Sequence, residues 1–468
     1  MPSSANSRVK APSHQCAECG AVSVRWVGRC PECQAWGTMQ AEGRPVRAGL
    51  ARATVRAKAT PIESVDLVSA RTVATGVAEL DRVLGGGLVP GAVVLLAGEP
   101  GVGKSTLLLE VAHRFAERGQ TSSLVVTGEE SVAQVRLRAE RTGSMHPRLY
   151  LAAENDLAAV LTHVDEVGPG LLIVDSVQTV TSTSLEAAAG SVTQIRGVAT
   201  ALIEVAKQRA MACVLVGHVT KDGSIAGPRV LEHLVDVVLH FEGDRHSALR
   251  LLRATKNRYG PADEVGCFEM HESGITGLAD PSGAFFSHRA APVAGTCVTV
   301  TVEGRRPLLA EVQSLVAGSP NGGSGRRAVT DLDQSRVAMV LAILSRHAQM
   351  SLADRDVYTA SVGGLRLTEP AADLAIALAV RSAVSGRAIP STVCAIGELS
   401  LSGDVRRVAR LDQRLAEAAR LGFHTALVPA SALPVRADGL RVVGVDALTD
   451  ALEADERLEQ RRGFTSVR

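Results

Sequence analysis

Apolar and polar positions change pattern along this 468-residue chain. From about residue 61 to about 283, short apolar runs alternate with helical patterns. Residues 92–97 read Ala-Val-Val-Leu-Leu-Ala, residues 171–174 read Leu-Leu-Ile-Val, and residues 123–127 and 214–218 are similar. Runs of this length suit buried strands. The stretches 106–112 and 132–141 have helical periodicity. The alternation predicts a parallel sheet flanked by helices. From about residue 331 the chain is regular again. Helices are predicted at 337–347, 371–384 and 410–421, a strand at 425–429, and a hairpin joining 396–400 to 403–405. Between the two regions, residues 318–325 read Gly-Ser-Pro-Asn-Gly-Gly-Ser-Gly, which predicts a flexible loop within a connector over 284–334.

A hydrophobic content of 46% supports a sizeable core, and the length suits two or three domains. The net charge of +1 gives no global pull toward nucleic acid or membrane. Aromatics at 3% argue against large base-stacking platforms. The longest apolar stretch, 371–384, is interrupted by Asp373 and Arg381, so no membrane span is expected. Residues 1–12 lack the apolar core of a signal peptide. A cytoplasmic protein with no membrane partner follows, and its eight cysteines are expected to be thiols or metal ligands.

The strand at 92–97 runs into Gly98, Glu99, Pro100, Gly101, Val102, Gly103, Lys104, Ser105 and Thr106, and a helix follows. This is a G-x-x-x-x-G-K-[ST] phosphate loop between the strand and helix that it requires. Its glycines let backbone N–H groups turn around a polyphosphate, and the helix N-terminus adds positive field. Lys104 is placed for the β- and γ-phosphates, and the Ser105 hydroxyl for Mg²⁺. The chain is therefore expected to bind ATP.

The 171–174 run ends in Asp175, a candidate Mg²⁺ ligand through water, as in a Walker-B strand. Glu129 and Glu130 end the 123–127 strand, expected to neighbour the phosphate-loop strand. Either could activate water, or both could simply favour the helix that follows. His218, at the end of 214–218, could sense a γ-phosphate or be an ordinary strand-end residue.

Near the N-terminus, Cys16-x-x-Cys19 and Cys30-x-x-Cys33 form two thiol pairs. Each turn puts two thiolates on one side of a metal, and two turns close a tetrahedron, which points to structural zinc. Cys213, Cys267, Cys297 and Cys394 are read as small buried hydrophobes. Arg25, Trp26, Arg29 and Trp36 lie within the cysteine module. They could contact nucleic acid, or the tryptophans could be the module's own core. Residues 44–58 hold Arg44, Arg47, Arg52, Arg56 and Lys58 and no acid, and read as a basic linker.

The segment 85–106 resembles the RecA-type ATPase core. Its alignment with Thr127-Gly128-Glu129-Glu130-Ser131 favours Glu129 as the catalytic glutamate. Lys256-Asn257-Arg258-Tyr259-Gly260 is similar to the K-N-R-F-G signature of the bacterial RadA (Sms) family, with Tyr259 for the usual Phe. The N-terminal cysteines also match that family's pattern. The C-terminal part resembles the proteolytic domain of Lon proteases. There the dyad serine aligns with Ala371 and the lysine with Asp412, so neither group of that chemistry is present.

The resemblance implies an α/β chain with five segments. They are a four-cysteine zinc knuckle (1–40), a basic linker (41–60), a RecA-like ATPase domain (61–283), the connector (284–334) and a proteolytically inactive Lon-like α+β domain (335–468). It further implies a DNA-dependent ATPase and helicase using ATP, Mg²⁺ and Zn²⁺. Single-stranded and branched DNA, the RecA recombinase and a homohexameric ring are the implied partners and assembly, with branch migration in recombinational repair as the implied role. Lys256 and Arg258 either face solvent or reach a neighbouring subunit's γ-phosphate. A Lon-type protease and a KaiC-like ATPase are the alternatives.

Overall fold

The structure, a computed structural model, describes residues 14–41, 60–64, 71–119, 121–218, 229–243, 248–282, 291–319, 325–362 and 365–465. The basic stretch 44–58 lies outside the described residues. The chain divides into two compact units, Met1–Asp66 and Leu67–Arg468.

In the first unit, β1 (His14–Cys16) is flanked by antiparallel β2 (Val22–Ser23) and β3 (Met39–Ala41). Each cysteine pair forms a tight turn closed by two backbone bonds, Gly20 N–H to Cys16 O with Cys16 N–H to Ala21 O, and Gln34 N–H to Cys30 O with Cys30 N–H to Ala35 O. Cys16, Cys30 and Met39 fill the interior, with Ala21 and Val27 against them. Trp26 and Trp36 are 64% and 75% exposed, so the tryptophans are not the module's core. A unit this small has room for the ligands and little else.

The second unit opens with α1 (Ala78–Leu84), β4 (Val93–Gly98), α2 (Lys104–Arg118), β5 (Ser123–Thr127), α3 (Val132–Thr142), β6 (Leu149–Ala153), α4 (Leu157–Val167) and β7 (Leu171–Asp175). It continues with α5 (Val192–Arg209), β8 (Ala212–His218), α6 (Arg229–Glu232), β9 (Val237–Glu242), β10 (Leu249–Asn257), β11 (Val265–His271) and β12 (Gly274–Gly277). One nine-stranded sheet results, in the order β12-β11-β10-β9-β4-β8-β7-β5-β6. The six strands from β9 to β6 are parallel, and β10 to β12 extend them antiparallel. Alternation along β4 feeds two cores. Val94 and Leu96 pack with α1 and α2, whereas Val93 and Leu95 pack with α4 and α5.

The sheet order corrects one expectation. The 123–127 strand does not neighbour the phosphate-loop strand. β8 and β7 stand between them. Neighbours in sequence are separated here because the chain crosses over the sheet before filling the gap.

A second sheet contains β13 (Thr296–Glu303), β14 (Arg306–Gly318), β15 (Arg327–Thr330), β16 (Arg355–Ser361), β17 (Val393–Ala395), β20 (Thr425–Pro429) and β21 (Arg441–Val445), in the order β15-β16-β14-β13-β17-β20-β21. The hairpin of β18 (Glu398–Leu399) and β19 (Val405–Arg406) stands apart from it. Helices α7 (Gln334–His347), α8 (Asp373–Ser385), α9 (Leu411–Arg420) and α10 (Leu448–Thr465) complete the chain. The helices cover the sheet, with α7, α8 and α10 in one core and α9 in the other. The connector read over 284–334 is therefore not a connector. Its residues 296–303 and 306–318 are two long strands in the middle of the sheet. The glycine-rich stretch interrupts that sheet and does not precede it.

Candidate nucleotide and metal sites

The turn from β4 into α2 is built for close approach. Gly101 and Gly103 have φ of 79° and 109°, where a side chain is strained. A Cβ at Gly98 would stand 2.4 Å from the Phe241 carbonyl, and one at Gly103 would stand 3.0 Å from Met270 Sδ. The loop therefore presents bare backbone. Lys104 Nζ donates to the carbonyls of Gly98 and Glu99, at 2.9 Å each. It arches back over the loop, where arriving phosphates would take over its bonds. Burial lowers its pKa, while Asp175 and Glu129 act in the other direction.

Asp175 ends β7, and its carboxylate is hydrogen-bonded to Ser105. Burial raises its pKa against that bond. Ser105 and Asp175 thus form a paired oxygen set of the kind that holds Mg²⁺ and its waters. Glu129 reaches the same place despite the sheet order. The turn after β5 is tied down by Gly128 N–H to Asp175 O at 2.9 Å, and Ser176 Oγ donates to Glu129 Oε1 at 3.0 Å. His218 Nε2 lies 3.5 Å from the same oxygen, and Gln178 brackets the His218 backbone with two bonds of 3.2 Å. Glu130 turns away, paired with Arg138 of α3. Of the two acids at this strand end, only Glu129 faces Lys104 and Asp175. Ser176 carried no motif signal, being one more small residue after the aspartate.

Lys256 and Arg258 sit at the opposite end of the sheet. Lys256 pairs with Val238 and Asn257 with Val237, and Val237 and Val238 pair with Val94 and Leu95 of β4. The phosphate loop begins only beyond Gly98. Lys256 Nζ donates to the carbonyls of Glu232 and Val235, both at 2.7 Å. Arg258 pairs with buried Asp236 at 3.2 Å. Asn257 Nδ2 donates to Val83 O and Leu84 O, and Gly260 packs on Gly85. Asn257 and Gly260 thus hold the segment to the end of α1, and Lys256 and Arg258 hold it to residues 232–236 between α6 and β9, away from the chain's own phosphate loop.

In the first unit, the ligand atoms of Cys16, Cys19, Cys30 and Cys33 all lie within 4.8 Å of one another. Cys16 Sγ is 3.7 Å from Cys33 Sγ, and Cys19 Sγ is 3.6 Å from Cys30 Sγ. A tetrahedron with metal–sulfur bonds of about 2.3 Å needs sulfur separations of about 3.8 Å, so the donor set fits. The Thr38 hydroxyl, 3.2 Å from Cys16 Sγ, is the main cause of a Cys16 pKa lowered to about 6. Cys33, against its Ala35 backbone bond, is pushed up to about 12 by the Cys19 sulfur and burial. A cation among the four sulfurs is what would hold them all as thiolates. Arg29 stacks over Trp36 at 5.7 Å, leaving both tryptophans at the surface. Cys213, Cys267, Cys297 and Cys394 are buried in the second unit.

Three family models match the chain. They are an AAA domain over residues 58–224, a rubredoxin metal binding domain over 14–41, and the ChlI subunit of Mg-chelatase over 339–432. The chain is 52% identical over 460 residues to a DNA repair protein RadA of Mycobacterium tuberculosis, covering 97% of this chain and 95% of that one. It is 53% identical to the RadA of Mycolicibacterium smegmatis over 459 residues, covering 96% and 97%. The chain belongs to the RadA family. Against the RadA of Halalkalibacterium halodurans, 43% identity still extends over 95% of this chain and 98% of that one.

At the two positions that the Lon resemblance gives to a serine–lysine dyad, this RadA-family chain has Ala371 and Asp412. Ala371 lies in a buried 3-10 turn, Pro370–Ala372, and Asp412 sits exposed in the first turn of α9. Two residues from each, Glu369 and Arg414 form an ion pair. Arg414, fully buried, donates to both Glu369 oxygens at 2.6 and 2.7 Å, and Glu369 also accepts from Thr301 Oγ1 and Val302 N–H. Among the described residues, no helix is long and apolar enough to cross a membrane.

Proposed function

We propose that this chain is an ATP-driven motor on DNA in recombinational repair. The observation that carries the reading is the convergence of Lys104, the Ser105–Asp175 pair and the Ser176-held Glu129 at one end of the parallel sheet. In this reading the phosphate loop and Lys104 hold the β- and γ-phosphates of ATP. Ser105 and Asp175 hold Mg²⁺, and Glu129 orients the attacking water. Lys256 and Arg258 stand too far round the sheet to serve their own loop, so they complete a neighbour's site in a ring, taken as a homohexamer. Cys16, Cys19, Cys30 and Cys33 hold one Zn²⁺.

The substrates are single-stranded and branched DNA, the action is helicase-driven branch migration, and RecA recombinase is the partner in the cytoplasm. The names of the RadA relatives support the repair role. The ChlI-like region acts as a scaffold for subunit contacts and DNA. A Lon-type protease is disfavoured by Ala371 and Asp412, and a KaiC-like ATPase by the cysteine unit.

The test is steady-state ATP hydrolysis with and without single-stranded DNA, beside unwinding of a forked duplex. Stimulation by DNA together with ATP-dependent unwinding is expected. Hydrolysis indifferent to DNA, or absence of unwinding under stimulated turnover, defeats the motor reading. Casein cleavage that follows the purified protein would overturn the scaffold assignment.

A further inference from the structure

Arg250 lies at the phosphate-loop end of β10, the strand whose other end carries Lys256. Its side chain is only 8% exposed, yet a guanidinium stays charged at any pH of interest. Nε donates to the carbonyl of Val102 at 2.9 Å, and an Nη donates to the Leu249 carbonyl at 2.8 Å. The arginine stem passes over Gly243, where a Cβ would stand 2.2 Å from Arg250 Cδ, so the bare backbone there gives it its path.

Val102 is the loop residue between Gly101 and Gly103. In a trans peptide the C=O and the following N–H point in opposite directions. Holding the Val102 carbonyl toward Arg250 therefore turns the Gly103 N–H to the face away from it. That N–H is one of those expected to cradle a phosphate. Gly103 has the freedom to be held this way, with φ of 109°.

We propose that Arg250 is a positioning residue of the nucleotide site. It sets the Val102–Gly103 peptide so that the Gly103 N–H meets the bound phosphates, and it fixes a positive charge behind the loop. The proposal rests on the reading of residues 98–106 as the ATP site.

The experiment measures the Kd of a fluorescent ATP analogue with Mg²⁺ for the full chain, Arg250→Met and Arg250→Gln. Circular dichroism checks folding, and the ATP-induced rise in Tm is read against each variant's own nucleotide-free Tm. Affinity is expected to fall about tenfold, the equivalent of one charge-assisted hydrogen bond, and KM for ATP to rise while kcat changes little. A purely structural role would lower the nucleotide-free Tm and leave the Kd of the folded protein alone. An unchanged Kd in the folded variants overturns the proposal. Should Arg250→Met not fold, Arg250→Gln, which keeps a polar end, decides on the same readout. Lys104→Ala, run alongside, keeps the two readings apart. Parent-like ATP turnover in that variant defeats the site itself, whereas its loss beside unchanged Arg250-variant affinities defeats only Arg250's role.

Discussion

Glu79 of α1 and Arg306 of β14 form an ion pair between the nine-stranded and seven-stranded sheets, with side chains only 4% and 6% exposed. Glu79 also accepts from Cys267 N–H at 2.9 Å, and Arg306 donates to the carbonyls of Leu278 and Ala279 at 3.0 and 2.7 Å. Glu79 Oε1 also lies 3.7 Å from Arg82 Nε, a half-exposed side chain. Removing Arg306 leaves the buried carboxylate with only that looser countercharge and the Cys267 N–H. Arg306→Met is expected to lower stability by about 3–5 kcal/mol, measured by urea unfolding. A loss below about 1 kcal/mol means that solvent reaches Glu79 in solution.

The two strand-end glutamates separate cleanly. Glu129 faces Lys104 and Asp175, and Glu130 is spent on Arg138. Glu129→Gln should bind nucleotide normally and lose ~10²–10⁴ in turnover, the usual worth of a positioned base. Glu130→Gln should hydrolyse ATP like the parent. Reversed effects would place the catalytic acid at residue 130. Lys104→Ala should remove most turnover, because it takes away the ammonium that the loop itself offers to the β/γ-phosphate charge.

The four sulfurs already stand at metal-ligand spacing. Elemental analysis is expected to find one zinc per chain, and none in the Cys16→Ser, Cys33→Ser double variant. Zinc retained at full stoichiometry in that variant moves the site elsewhere.

Much of this was legible from local pattern. The phosphate loop, Asp175 and the cysteine turns are each defined within a few residues, and the structure brings Lys104, Ser105 and Asp175 together and gathers the four sulfurs. The order of strands is not local. Nothing in residues 123–127 tells that β7 and β8 will separate them from β4, since crossover choice depends on the whole sheet. The strands at 296–303 and 306–318 were hidden behind a glycine-rich stretch that looked like a boundary. Ser176 and Arg250 were invisible for another reason. Each is a common residue type, Ser176 in the turn after β7 and Arg250 within β10, and its contact is with a partner 47 or 148 positions away.

The Glu369–Arg414 pair gives a pH dependence. Burial pushes the Glu369 pKa up, but Arg414, Thr301 and the Val302 N–H outweigh it, and the net shift is downward. A carboxylate with a depressed folded pKa contributes stability above its unfolded value, about 4.3, and loses it as pH falls through the folded value. The stability gap between the parent and Glu369→Gln should therefore be full at pH 7 and narrow below about pH 4. Urea unfolding at a series of pH values checks this. A gap that widens on acidification would mean that burial, not Arg414, governs Glu369.

Arg258 gives the sharpest test of assembly. It is paired with Asp236, and Asp236 Oδ2 in turn accepts from Val93 N–H at 3.1 Å, at the start of β4. The phosphate loop leaves the other end of that strand. An arginine so placed can touch a γ-phosphate only on another subunit. If it acts as a finger in trans, Arg258→Ala should keep nucleotide binding and lose ~10³–10⁵ in DNA-stimulated turnover. Lys256→Ala should behave alike. A solvent-facing Arg258 would instead give a mild variant. Mixing decides between the two. Arg258→Ala subunits retain an intact phosphate loop, and Lys104→Ala subunits retain an intact Arg258. Where the two meet in one order, a complete composite site forms, so mixed rings should recover part of the ATPase activity that neither variant has alone. The measurement is hydrolysis against mixing ratio, under conditions where fluorescence exchange shows that subunits interchange. Activity that stays at the level of the separate variants across all ratios removes the role in trans.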